Sequence, residues 1–145
     1  MTNPKVTELK KSLTNGMLSN FMSAGQRSIL KSLMTGEEGQ HFIDMLTNLE
    51  AHLLSMPMTG EQDGMGQGAV VWLHYFRGGT DAWITERDVG DGTDDQRQHQ
   101  AFGKFCLNGD RENAEMGYIS IQELIENGVE LDLYWTNKTL KELPT

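Results

Sequence analysis

Glu86 and Glu115 are the side chains whose type and placement come nearest to a catalytic pair. Each stands at the end of a stretch with strand-like alternation. Neighbouring strands could bring the two carboxylates together, and a close pair pushes one pKa upward and so supplies an acid beside a base. Trp83 and Tyr118, three residues from Glu86 and Glu115 respectively, would then wall a small-ligand or hydrolytic site. The competing reading is that a lone acidic residue at a strand end is solvated or bonded to a turn amide.

Other patterns exclude more than they offer. Gly64, Gly66 and Gly68 form a GxGxG, but it follows a helical stretch and precedes a strand-like one. A dinucleotide fingerprint needs the opposite order, because the helix N-terminus holds the pyrophosphate. Asp88, Asp91, Asp94 and Asp95 offer oxygen ligands, yet the twelfth position counted from Asp88 is His99 rather than a bidentate Glu, so the run is not an EF-hand. His41, His52, His74 and His99 lack the spacings that set two imidazoles on one metal, and Cys106, the single cysteine, lies in an apolar strand-like run. No metal or cofactor is expected. Without a catalytic constellation beyond the Glu86–Glu115 pair, the chain reads more readily as a binding protein than as an enzyme.

Charge narrows the partners. The formal net charge of the 145 residues is −9. Residues 1–34 carry Lys5, Lys10, Lys11, Arg27 and Lys31 against Glu8, a net +4, which leaves −13 on the remainder. So acidic a surface repels nucleic-acid phosphates and attracts basic proteins, and any direct nucleic-acid binding is confined to residues 1–34. One cysteine excludes an internal disulfide framework. No run approaches the roughly 18 apolar residues of a spanning helix, so no membrane contact and a cytoplasmic location are expected.

The elements that must position these residues divide the chain in two. Asn3 and Pro4 cap a helix with Val6, Leu9 and Leu13 at helical spacing, stopped by Asn15 and Gly16. Helical stretches follow near 17–22 and 26–34. The strongest spans 37–55, where Phe42, Met45, Leu46, Leu49, Leu53 and Leu54 form a broad stripe. Residues 56–68 hold four glycines and Pro57 and read as a flexible connection. Beyond it the period becomes strand-like over 69–76, 81–89, 101–107, 116–121 and 129–136, with an RGGT turn in the first hairpin and a mobile polar loop over 90–100. Ser120 and Glu123 sign the start of a short helix that Asn127 and Gly128 close, and a helical turn near 140–143 follows the last strand. The predicted fold is α+β: one domain over 1–145, with a helical part over 1–58 packed on a mainly antiparallel sheet of about five strands in a β-rich part over 69–145.

Within that second part, AWITE at 82–86, AFGKF at 101–105, EMGYISIQEL at 115–124 and VELDLYW at 129–135, followed by KTLKEL, stand in a characteristic order. Over about residues 69–143 they resemble a small family built on a domain of unknown function and carried on conjugative plasmids, integrative elements and phages. Met116 stands where that family has Leu, Leu131 where Arg is common, and Trp135 where it has Phe. The resemblance implies a protein delivered alongside anti-restriction and other counter-defence activities. On that basis the partner is expected to be a host protein, such as a component of a nucleic-acid-targeting defence complex. Asp88, Asp91, Asp94 and Asp95, with Trp83 and Tyr118, are the expected contacts.

Overall fold

The Asn3 side chain accepts from the Lys5 amide at 2.9 Å, and Pro4 takes the first helical position, where a missing N–H costs nothing. The computed structural model describes residues 3–90 and 96–144. Helix α1 runs Pro4–Asn15, and a 3₁₀ turn at Leu18–Asn20 leads to α2, Ala24–Leu33, which Ser23 caps. Helix α3 spans Gly39–Ser55. Its buried face is Ile43, Leu46 and Leu53, whereas Leu54, counted in the predicted stripe, is 62% exposed in the helix's last turn. Ser12 ties the helices together: its hydroxyl donates to Glu50 on α3 and accepts from the Leu18 amide.

The sheet begins with a split. Residues expected as one strand over 69–76 form β1, Val70–Val71, and β2, Leu73–Arg77, interrupted at Trp72. Strand β3 is Thr80–Glu86, reached through a tight turn whose Gly78 has φ +56°. Strands β4, Ala101–Cys106, and β5, Glu115–Ile119, complete the meander. Helix α4, Ile121–Glu126, then leads to β6, Glu130–Leu131. The five-stranded antiparallel order is β5-β4-β3-β2-β6, the α+β arrangement predicted, with a short helix between the last two strands of that sheet.

Two predicted strands end early for identifiable reasons. A β-bulge between Ile84 and Glu86 stops β3 at Glu86 rather than at residue 89. The expected strand over 129–136 pairs only at Glu130–Leu131, because the Asp132 carboxylate accepts from the Tyr134 amide at 3.0 Å and turns the chain out of the sheet. Residues 132–144 then form a strap across the sheet, with β7, Lys138–Thr139, pairing β1 and a 3₁₀ turn at Leu140–Glu142.

Each sheet face has its own cover. Leu73, Tyr75, Ala82, Ile84 and Ala101 join the helices in the main core, where the Tyr75 hydroxyl donates to the Phe21 carbonyl. On the reverse face, Trp83 and Cys106 pack with Ala69, Val71, Leu140 and Leu143 of the strap and its ladder. Gly103 lets β3 and β4 approach: a Cβ there would lie 2.0 Å from the Trp83 carbonyl oxygen. No helix among the described residues is long and apolar enough to cross a membrane.

Candidate functional site

The two predicted catalytic carboxylates are held apart. Glu86 pairs with Phe102 and Glu115 with Phe105 across β4. Paired residues share a face and successive residues alternate, so this odd offset sends the two carboxylates to opposite faces. Glu86 is 2% exposed, and its carboxylate is taken up structurally. Its Oε1 accepts from the amides of Gly60 at 3.0 Å and Gln62 at 3.2 Å, while Oε2 accepts from the Thr85 hydroxyl at 2.5 Å. The bulge aims Glu86 at this task. Residues 56–68, expected as a flexible connection, are thereby tied down: Gln62 is itself buried and bonds the backbone of Val70 on both sides and the Thr85 carbonyl.

Asp88 is likewise occupied. Its two oxygens accept from the amides of Gly90, His99 and Gln100, closing the base of the polar loop, and buried Gln98 adds a bond to the Asp88 amide. A carboxylate so engaged by main-chain donors is a loop latch rather than a free contact. The other three predicted contacts of that run, Asp91, Asp94 and Asp95, lie outside the described residues. Arg27, one of the basic N-terminal residues, donates to the carbonyls of Met22, Leu13 and Thr14 and is spent on joining α1 to α2.

Trp83 is 4% exposed and not a surface contact; its ring stacks on His74 at 5.8 Å between centroids. His74 is the feature that motif reading missed. Its Nε2 lies 2.7 Å from Asp81 Oδ1 and its Nδ1 lies 3.1 Å from Asp132 Oδ2, with Trp135 5.2 Å away. Both ring nitrogens are thus committed, and Asp132 carries the start of the strap, so the cluster is a clasp that fastens the strap to β2 and β3. The hairpin register made half of it readable: His74 faces Trp83 and sits diagonal to Asp81. Nothing local pointed to Asp132, 58 residues away.

Tyr118 is where the structure leaves an open surface. It is 70% exposed and makes an edge-on contact with Phe102, and Met116 beside it and Leu107 at the end of β4 are exposed as well. Met116 and Tyr118 lie on β5, the outer strand on one side of the sheet. The other outer strand, β6, is sealed. The Gln26 side-chain amide of α2 accepts from the Leu131 amide at 3.0 Å and donates to its carbonyl at 2.8 Å, acting as a further strand residue. A mostly apolar groove of about 490 Å³ lies between β5 and α4, lined by Thr80, Phe105, Leu107, Tyr118, Leu124 and Val129. The segment 107–130 around it holds Asp110, Glu112, Glu115, Glu123, Glu126 and Glu130 against Arg111, a net −5. An exposed strand with an apolar groove and an acidic surround can take an additional strand by main-chain bonding, with side chains entering the groove.

Compared with known proteins, the chain matches no family model, no curated protein and no solved structure.

Proposed function

We propose that this chain is a non-enzymatic binding protein that captures a basic segment of a host protein along β5. The carrying observation is the contrast between the sheet edges: β6 is sealed by Gln26, whereas β5 presents exposed Met116 and Tyr118 beside a groove. Native sheets usually blunt an outer strand with charge, proline or a covering element, and an edge left open is a docking element. The net −5 around it favours a basic partner through faster encounter and selectivity. The family resemblance over residues 69–143 supports the finer reading, a protein of a phage or plasmid with an anti-restriction or anti-CRISPR type of counter-defence role, acting in the cytoplasm of a bacterial host.

Photo-crosslinking tests the reading. A benzophenone side chain at Tyr118 and, as control, one at exposed Leu54 on α3 are compared in host cells. A discrete adduct with a basic protein, formed from position 118 alone and lost when Met116 is changed to Lys, is the expected result. No adduct, or the same adducts from both positions, refutes it.

A further inference from the structure

The open strand β5 carries a glycine that the chain itself does not need. Gly117 is the middle residue of Glu115–Ile119, and a glycine inside a strand lowers its stability relative to alanine. At other glycines of the sheet the reason is visible: Gly78 has φ +56°, and a Cβ on Gly103 would strike the β3 backbone. Gly117 has neither reason. Its φ lies outside the left-handed region, and a Cβ built on it meets nothing within 4 Å. A strand glycine that neither torsion nor packing requires marks a place where another body comes close.

The register gives the vacancy its shape. Gly117 pairs with Gly103, so two neighbouring strands lack a side chain at the same point of one sheet face. Phe105 paired with Glu115 bounds this hollow on one side, and Ala101 paired with Ile119 bounds it on the other. Phe105 and Ile119 also line the groove between β5 and α4, so the hollow adjoins it. We infer that the segment captured on β5 is a strand of the alternating pattern basic, any, aromatic, any, aliphatic, with its aromatic ring seated over Gly117; this rests on the reading of β5 as the docking edge. On an added strand the residues two positions either side of the one opposite Gly117 face Glu115 and Ile119. A ring laid across a glycine on an outer strand recovers the burial that the glycine gave up, and Phe105 at the border adds an aromatic neighbour. Glu115 is exposed and has no ion-pair partner among the described residues, so it selects a basic side chain on one flank, while Ile119 offers an apolar neighbour on the other.

The test uses the full chain and synthetic peptides. Lys-Thr-Phe-Thr-Val and its reverse, Val-Thr-Phe-Thr-Lys, each flanked by threonines, allow either strand direction, and counterparts carry Ala in place of Phe. Affinity is read by fluorescence anisotropy, and location by the amide resonances of Met116, Gly117 and Tyr118. One Phe peptide is expected to bind about tenfold or more tightly than its Ala counterpart, as burial of one ring implies. G117V fills the hollow and should erase that preference. G117A should melt higher than the parent, because the glycine's freedom in the unfolded chain is lost, yet bind the Phe peptide more weakly. A Phe peptide that shifts the β5 amides but binds no better than its Ala counterpart, or binds G117V equally well, overturns the inference and leaves β5 as the docking edge. A G117A chain that melts below the parent means that the fold itself requires the glycine, and overturns it equally. Peptides that shift no β5 amide remove both readings.

Discussion

Replacing Gln26 by Ala tests how the helical layer is fastened to the sheet. The side chain makes two bonds to one residue, Leu131, at 2.8 and 3.0 Å, in a part-buried setting. Each is worth about 0.5–1.5 kcal/mol net, and water can recover some of the loss at a part-buried edge, so Q26A should destabilise by about 1–3 kcal/mol. Q26E separates the hydrogen bonds from packing. It has nearly the same volume and retains an acceptor for the Leu131 amide, but it sets a carboxylate against the Leu131 carbonyl. Its loss should therefore exceed that of Q26A. Urea unfolding followed by tryptophan fluorescence measures both, as a lower midpoint with an unchanged slope. If Q26A shifts stability by less than about 0.3 kcal/mol, or if Q26E is the milder change, the amide is not sealing β6 and the reasoning from edge contrast loses its premise.

Other expected outcomes follow from the same geometry. Glu86→Ala leaves the Gly60 and Gln62 amides without their acceptor and the Thr85 hydroxyl with only the Phe102 carbonyl, so it should cost about 2–3 kcal/mol and speed proteolysis within residues 56–68, whereas Glu86→Gln should cost less. Burial raises the Tyr75 pKa well above its ordinary value, so the stability it contributes is whole below about pH 10 and falls as the unfolded chain's Tyr75 ionises above it; alkaline absorbance titration should show Tyr75 ionising only as the chain unfolds. Gly103→Ala places a Cβ 2.0 Å from the Trp83 carbonyl oxygen, backbone that cannot swing aside, and should cost more than about 2 kcal/mol by thermal unfolding. His74→Phe keeps a ring between Trp83 and Trp135 but loses both carboxylate bonds, and hydrogen exchange should quicken at Leu140 in the strap and Val71 in β1, which pairs with it, before it does in β3.

Periodicity and capping chemistry carried most of the architecture. Asn3–Pro4, Ser120 and the RGGT turn each act through bonds or torsions made within a few residues, and the elements they begin or join stand where the sequence placed them. What escaped was tertiary. Asp88 and Glu86 look like surface acids until the chain brings three main-chain N–H groups to the first, and two with a hydroxyl to the second. Glycines over 56–68 signalled freedom, but buried Gln62 turns that freedom into a fixed shape, and one glutamine in a polar stretch carries no mark of burial. Trp83 was expected as a partner contact, and it is the strap, folded back from residue 132 onward, that covers it. Tyr118 was legible as an exposed aromatic, whereas the difference between the two sheet edges depends on Gln26 meeting Leu131 over 105 residues.

That separation also sets an order of events during synthesis. Strands β2 to β5 pair as local hairpins, so they can form as soon as each has left the ribosome, and the helices can gather on them. Until residue 131 emerges, however, Gln26 has no backbone to bond and β2 remains an open flank of the nascent chain. Closing a loop this long is the slow step for a chain whose other pairings are short-range. For that interval the growing protein exposes two unguarded strands rather than one, and an interrupted translation product ending before β6 would be the form most prone to self-association.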